Sequence, residues 1–310
     1  MPNSSRKVFV PSAVSSFFEV CDTNADGSRI TDPLRIGSRG GGFKLKIGTT
    51  TQVSEWDSDV VYINGRKRSD AKTTLNVVKL MREKFGFDFV KVEHMVEAPI
   101  GAGFGTSGAG ALATAIALSD LFGLKLTLLK AADFAHIAEI QSVTGLGTVT
   151  GLVYGAGAVG LVTEPGAPSL GRVDALIFDH SNYALVCAYF GAIEKSSVLL
   201  NEEKKRKVNE QGRITMKKVL EECTPESLLE HSLSFAKNTG LASERILKLA
   251  ELAKKLGALG ATQNMIGDAL HCLVPKNKLQ EFLLAFSSKA QDALIFLSEL
   301  WQGGVKFLEE

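Results

Sequence analysis

One glycine-rich stretch constrains the fold of this chain more than any other part of its sequence. Residues 98–110 read Ala-Pro-Ile-Gly-Ala-Gly-Phe-Gly-Thr-Ser-Gly-Ala-Gly, and an alanine-rich segment, residues 111–118, follows at once. The stretch from Gly101 to Gly110 holds five glycines, two hydroxyl residues and no charge. Such a backbone turns sharply and can present several N–H groups to one anion. By itself, the stretch predicts either a phosphate-binding loop or a glycine-rich turn ahead of a core helix.

The residues on both sides of the stretch give the order of elements. The alanine-rich segment predicts a helix that begins near Thr106 and packs closely against a sheet, because its residues are good helix formers with small side chains. The positive end of the helix dipole would then face the loop and hold an anion without any lysine. Residues 87–96 predict a strand before the loop. Strand, loop and helix are in the order that a phosphate site requires.

Composition excludes several classes of protein. With 310 residues, 45% of them apolar and 22% charged, the chain is long enough for two ordinary globular domains. Its net charge of +1 predicts no broad attraction to nucleic acid. The longest apolar run, Ala109 to Leu118, is too short for a membrane span, so no membrane partner is expected. The four cysteines form no Cys-x-x-Cys pair, which predicts neither zinc nor a disulfide framework and favours a reducing cytoplasm.

A second glycine cluster, Gly37-Ser-Arg-Gly-Gly-Gly42, contains a serine and an arginine. Arg39 offers a planar fork of donors and glycine permits close approach, so an anionic substrate group would fit there. A solvated hairpin turn explains the cluster equally well.

Periodicity predicts a mixed first half and a mostly helical second half. His136 and Glu139 lie three residues apart on one face of a helix predicted over residues 126–141. A glutamate on such a helix is usually a surface residue unless a cation lies opposite it. The other predicted elements are strands at 7–11, 12–20 after a turn, 43–62, 159–163, 175–178, 186–190 and 303–308, helices at 72–85, 202–222, 225–237, 243–256 and 279–286, and a glycine-rich patch at 257–274 that ends in a strand.

In this order, the motifs resemble the GHMP kinase superfamily. Pro99-x-x-x-Gly103-Phe-Gly-Thr-Ser-Gly-Ala109 is similar to its phosphate loop, Pro-x-x-x-Gly-Leu-x-Ser-Ser-x-Ala, and the patch at 257–274 resembles its third motif, which closes over the phosphates. Within the superfamily the likeness is greatest to archaeal pantoate kinases. It rests on short matches around Val8–Glu19, Asp32–Gly40, Ala135–Glu139, Thr144–Gly147 and Asn238–Leu241.

The resemblance implies an α+β fold of two domains. Residues 1–185 would form an N-terminal mixed α/β domain with the phosphate loop and its helix, and residues 186–310 a C-terminal ferredoxin-like domain. It implies a kinase that uses ATP and Mg²⁺ and acts on a small hydroxy acid, and it makes a homodimer plausible. The residues expected to bind the nucleotide are Pro99, Gly101, Gly103, Gly105, Thr106, Ser107 and Gly108.

The resemblance also assigns the chemistry to particular residues. Ser107 and Glu139 match the ligands of Mg²⁺ and, together with Thr148, are the expected catalytic residues. The hydroxy acid would lie near Ser38, Arg39 and His136, with Arg39 suited to its carboxylate.

Two departures from the superfamily pattern lie in the acceptor half. Thr148 stands where many members carry an aspartate near the attacking hydroxyl, and a neutral threonine is a poor proton acceptor. Gly160 stands where a substrate-binding arginine is expected. Asp268 is a possible substitute for the aspartate, although a cap is the commoner role for such a residue. The acceptor is therefore expected to be pantoate, with pantothenate or another small alcohol as the alternative, and a nucleotide-binding regulator without activity as a third.

Overall fold

Two long antiparallel strands form the centre of the molecule. The computed structural model describes residues 3–155, 157–191 and 202–309. Strand β1 (Lys7–Cys21) pairs along most of its length with β2 (Gly37–Glu55). The second glycine cluster lies inside β2 and not in a hairpin turn, since its residues pair with β1. Glycine is needed there because a side chain at Gly40 would place its Cβ 2.5 Å from the carbonyl oxygen of Phe17. Strand β1 also continues past Pro11, where the sequence predicted a turn.

The larger sheet packs against the helices of the first half of the chain. Its strand order is β12-β1-β2-β5-β3-β4, with β6 added to β2 and β7 added to β6. The bounds are β3 Val60–Ile63, β4 Arg66–Lys67, β5 Val90–Val96, β6 Val159–Glu164, β7 Arg172–Ala175 and β12 Lys306–Leu308, with helices α1 Lys72–Phe85, α2 Thr106–Leu121, α3 Leu128–Ser142 and α4 Thr148–Val153. Helix α2 is buried from Gly108 to Leu118 and packs against β1, β2 and α3. Its small side chains permit this close packing.

The second sheet has the strand order of a ferredoxin-like unit. It runs β11-β8-β10-β9, all antiparallel, which is 4-1-3-2 in chain order. The bounds are β8 Tyr183–Gly191, β9 Gly260–Gln263, β10 Asp268–Pro275 and β11 Leu294–Ser298, with helices α5 Glu202–Glu221, α6 Pro225–Thr239, α7 Glu244–Lys255 and α8 Leu279–Ser287. Helices α5 and α6 also pack against β1, so one apolar cluster joins Phe17 and Phe43 to Phe235.

The predicted α+β fold is confirmed, with one mixed sheet and one ferredoxin-like sheet. Some of the predicted elements differ in their bounds. The strand predicted at 175–178 lies at Arg172–Ala175, and β9 and β11 were not predicted. The division at residue 185 remains a prediction. Strand β8 runs across that point and β12 returns to the larger sheet. Within the described ranges, no helix has both the length and the apolar character needed to cross a membrane.

Candidate active site

The phosphate loop is positioned by glycine conformations and by one buried anchor. Gly101, Gly103 and Gly105 all have positive φ, a region that other residues rarely enter, and Gly105 is the N-cap of α2. Phe104 is 1% exposed and its carbonyl accepts a hydrogen bond of 3.2 Å from the N–H of Ala13. The loop therefore ends at the N-terminus of α2, where unpaired backbone N–H groups attract anions. Pro99 lies in the preceding turn, and Thr106 and Ser107 open the helix.

A chain of hydroxyl groups connects the loop to a buried carboxylate. The Ser107 hydroxyl donates to Thr73 Oγ1 over 3.2 Å, and Thr73 Oγ1 is 3.0 Å from Thr144 Oγ1. Thr144 in turn donates to Glu139 Oε1 over 3.1 Å. Glu139 is 2% exposed, so it is not the surface residue that its helix position usually implies. Because every proton in this chain points toward Glu139, the Ser107 oxygen can turn its lone pairs to a cation.

Thr148 begins α4 and lies directly against the loop. A Cβ added at Gly105 or Gly108 would lie 3.1 or 2.8 Å from Thr148 Cγ2. A Cβ added at Gly108 would also lie 2.9 Å from Glu139 Oε2. The structure therefore brings Thr148, Glu139 and the loop to one point.

The acceptor residues Ser38 and Arg39 lie on β2 beside α4. A Cβ added at Gly147 would stand 2.2 Å from Ser38 Oγ, so this hydroxyl faces the start of α4. Arg39 donates through Nε, over 2.8 Å, and through Nη2 to the buried carboxylate of Glu19. Glu19 also accepts from Arg213 of α5 over 3.1 Å. Glu19 thus fixes the guanidinium of Arg39 and shares its charge, leaving the Nη1 side for a ligand.

A cavity of about 130 Å³ joins these parts. Ser38 and Arg39 line one side, and Gly103, Gly105 and Thr148 line the other.

The turn between β9 and β10 closes the cavity from the second sheet. Met265 and Ile266 of this turn complete the wall. Asn264 donates from Nδ2 to the Ala102 carbonyl over 3.4 Å, and its Oδ1 is 2.7 Å from Nδ1 of buried His271. This contact agrees with the prediction that the patch at 257–274 covers the loop.

His136 lies outside the cavity wall. Its ring is 1% exposed, and Nε2 donates to the Ile36 carbonyl over 2.9 Å. Burial lowers the pKa of His136, although hydrogen bonds to the carbonyls of Ile36 and Pro33 oppose this. The structure places His136 beneath the segment that leads to Ser38, where it supports the backbone; direct contact with an acceptor stays a prediction.

The sequence assigned no role to three residues of the site. Thr73 is an ordinary threonine of a helix, and Thr144 was noted only as the first residue of the Thr144–Gly147 match. Their hydrogen bonds reveal the role of both. Lys44 of β2 lines the cavity at 3% exposure. The one signal for Lys44 in the sequence was its place on the strand predicted directly after the second glycine cluster.

Comparison with known proteins identifies the family. Residues 72–156 match the model of the GHMP kinases N terminal domain. The chain is 30% identical to the pantoate kinase of Methanocaldococcus jannaschii over 277 residues, which are 89% of this chain and 95% of that protein. It is 31% identical to the pantoate kinase of Thermococcus kodakarensis over 275 residues, 86% of this chain and 87% of that one. This chain belongs to the pantoate kinase family.

A solved member of the GHMP fold agrees with this placement. The structure described as a phosphotransferase related to the CoA biosynthesis pathway superposes with a TM-score of 0.84 at 27% identity, over 97% of each chain. The family is one of phosphotransferases that act on an alcohol group, which confirms the enzyme class predicted from the motifs.

The departures within the family are visible in the structure. Gly160 lines the cavity, and a Cβ there would meet only Val173 Cγ1, at 3.9 Å, so the space of a larger side chain is open. Asp268 opens β10 and pairs with Arg245, so it caps no helix and lies outside the cavity lining. No nearby carboxylate therefore replaces the aspartate expected at Thr148 among the residues that line this cavity.

Proposed function

We propose that this protein transfers the γ-phosphoryl group of ATP to the primary hydroxyl of pantoate, giving 4-phosphopantoate for coenzyme A synthesis. One observation carries the proposal: a single cavity joins the phosphate loop to Ser38 and Arg39. The names of the two archaeal relatives support pantoate as the acceptor.

The nucleotide phosphates would lie along the loop. Gly101, Gly103 and Gly105 let the backbone approach the phosphates closely, and the first N–H groups of α2 donate to them. Pro99, Thr106 and Gly108 shape the two ends of this cradle. Asn264 holds the Ala102 carbonyl from the opposite side, so the loop keeps its form before any ligand binds.

The donor set around Ser107 fits Mg²⁺. It consists of hydroxyl and carboxylate oxygens, the ligands that this hard cation prefers, and Mg²⁺ needs only one or two of them beside phosphate oxygens and water. No group of three or more His, Cys, Asp or Glu side chains suited to a metal ion occurs in residues 3–155, 157–191 and 202–309, which argues against a dedicated protein cage. Ser107 and Glu139 would hold the ion, and bound Mg²⁺ neutralises charge on the phosphates.

The acceptor would lie between β2 and α4. Ser38 Oγ faces the start of α4, so this hydroxyl can orient the attacking alcohol. Thr148 packs its Cγ2 methyl group against the loop, and a role for its hydroxyl stays a prediction. His136 supports the backbone before Ser38, and Arg39 presents Nη1 to the acid. Phosphoryl transfer depends mainly on positioning and charge neutralisation, so catalysis does not require a carboxylate at position 148.

A panel of acceptors with Mg-ATP tests the proposal. We expect kcat/KM for pantoate to exceed the value for pantothenate by at least about tenfold, since only pantoate carries its carboxylate beside the pantoyl hydroxyls. Faster turnover of pantothenate would show that pantothenate is the acceptor. ATP binding without phosphorylation of any acceptor would indicate a nucleotide-binding regulator without activity. The homodimer and the cytoplasmic location remain predictions, and light scattering tests the first.

A further inference from the structure

Lys44 is a buried cation that the proposed reaction has not used. Its side chain is 3% exposed and lines the cavity with Thr148 and Gly160. The ammonium donates to the carbonyl oxygens of Tyr154, over 2.9 Å, and Gly303, over 3.4 Å. Across the described ranges, no carboxylate lies within ion-pair distance of it. Burying a charge with only neutral partners is costly, so a lysine in this place requires a reason.

Strand register shows which way the lysine can reach. Gly42 pairs with Gly160, and the N–H of Lys44 donates to the Ala158 carbonyl over 2.9 Å. Residues two apart on a strand share a face, and directly opposed residues share that face too. Lys44 and Gly160 therefore point to the same side as diagonal neighbours. Because Gly160 leaves open space there, the ammonium can meet a ligand above this glycine.

Lys44 and the phosphate loop lie toward opposite ends of α4. Thr148 begins this helix beside the loop, and Tyr154, whose carbonyl accepts from the Lys44 ammonium, is its C-cap. The step from Thr148 to Tyr154 corresponds to about 9 Å along a helix axis at 1.5 Å per residue. A ligand that reaches from the loop to Lys44 is therefore a small molecule with its hydroxyl at one end and its anionic group at the other.

Arg39 is less suited to be the sole anchor. Its guanidinium is bound to Glu19, and that carboxylate already joins Arg39 to Arg213. Lys44 has no such counter-charge, and burial alone lowers its pKa to about 8. A carboxylate ligand would supply the missing charge and restore the ammonium's usual affinity for its proton.

We propose that Lys44 binds the carboxylate of the acceptor and thereby selects a free hydroxy acid over its neutral amide. The inference rests on the proposed function only in taking a small hydroxy acid as the acceptor. Ser38 lies six residues before Lys44 on β2 and shares its face of the strand, so the two would approach the acceptor together and Lys44 would provide the discrimination.

The test compares pantoate with pantoamide, its primary amide, in three variants. Lys44→Met keeps the buried stem and removes the charge, whereas Lys44→Arg retains a charge. Lys46→Met is the matched control, since Lys46 lies two residues along β2 and pairs with Glu299 at the surface. We expect Lys44→Met to lower kcat/KM for pantoate about 100-fold and to change the value for pantoamide less than about threefold. Lys46→Met should leave the ratio of the two values unchanged, and Lys44→Arg should retain most of the preference for the acid.

Further outcomes distinguish a failure of the role proposed for Lys44 from a failure of the proposed pantoate kinase function. If the wild type phosphorylates pantoate and Lys44→Met keeps the acid-to-amide ratio, the role of Lys44 is wrong and the function stands. If no variant phosphorylates pantoate, calorimetric titration of pantoate and pantoamide into the wild type and Lys44→Met still decides the binding role; equal affinities would overturn it. Should Lys44→Met fail to fold, the wild-type ratio decides the role. It should fall as the pH rises through the lowered pKa of Lys44, because the deprotonated amine no longer attracts the acid, and a ratio that does not change with pH would overturn the role.

Discussion

At the scale of single residues, the site depends on how one carboxylate is held. Glu139 lies on α3, and its oxygens reach both Thr144 and the first turn of α2 near Gly108. We expect Glu139→Gln to lower kcat by about 10²- to 10³-fold, because the amide keeps the shape of the carboxylate and loses the charge that holds Mg²⁺. The concentration of Mg²⁺ needed for half-maximal rate should rise in the same variant, which a titration of rate against Mg²⁺ measures.

Asp133 offers a matched control on the same helix. It is 5% exposed, accepts from the Ser169 N–H over 3.0 Å and lies outside the cavity lining. Asp133→Asn makes the same chemical change two turns away, and we expect it to leave both kcat and the Mg²⁺ dependence within about threefold of wild type. Near-normal turnover by Glu139→Gln would remove Glu139 from the site.

The residues that the sequence indicated are those whose chemistry is tied to a motif. Ser107 and Glu139 follow from the loop and from a helix match, and the structure brings them together through hydroxyl groups. Lys44 and Thr73 have no such motif, because their roles arise from strand register and from a contact between α1 and α2. His136 was predicted to lie near the hydroxy acid. Its ring donates to the Ile36 carbonyl, just before the strand that carries Ser38, and its contact with an acceptor stays a prediction.

At the scale of elements, the first turn of α2 has little room for side chains. A Cβ at Gly108 would lie 2.8 Å from Thr148 Cγ2 and 2.9 Å from Glu139 Oε2, whereas one at Gly110 would come no closer than 3.4 Å to the His94 ring. We expect Gly108→Ala to lower kcat at least about 30-fold by displacing Glu139 or Thr148. Gly110→Ala, two residues along the same helix, should keep near-normal activity.

Thermal unfolding separates this effect from a loss of stability. Alanine is a better helix former than glycine by about 1 kcal/mol, so neither substitution should lower Tm by more than a few degrees. Equal activity of the two variants would show that the close approach at Gly108 has no catalytic role.

The helices were predictable because their periodicity and caps are local. Helix α1 has Gly86 in the left-handed conformation as its C-cap, and α6 begins with Pro225 after the Thr224 cap, both signals that lie within a few residues of the helix end. The glycine cluster of β2 was not predictable as a strand, since glycine disfavours strands. It is held extended by its pairing with β1, which passes so close that a Cβ at Gly42 would overlap the Val14 carbonyl, so only glycine fits. That reason exists only in the folded protein.

At the scale of the whole molecule, a buried histidine joins the two sheets. Ser16 of β1 lies 2.9 Å from Nε2 of His271, whose Nδ1 is hydrogen-bonded to Asn264 Oδ1. Because an amide oxygen only accepts, Nδ1 carries the proton and Nε2 accepts from Ser16. Burial lowers the pKa of His271 to about 3, so the ring stays neutral. In this form, hydrogen bonds run from Ser16 of β1 through His271 and Asn264 to the Ala102 carbonyl.

The same burial makes the stability of the fold sensitive to acid. His94, bonded to Thr51 and Thr74, also has its pKa lowered by burial, to about 4. Below about pH 6.5 the histidine of the unfolded chain binds a proton, whereas the native ring stays neutral. The free energy of unfolding therefore decreases as the pH is lowered, until the native pKa is reached. We expect a loss of about 2 kcal/mol for each of these two rings between pH 7 and pH 5.

His94→Gln should therefore lose about 2 kcal/mol less than wild type over that interval, measured by urea unfolding at both pH values. His231→Gln, at a half-exposed position, is the control, and a loss in His94→Gln equal to that of wild type would contradict the assignment.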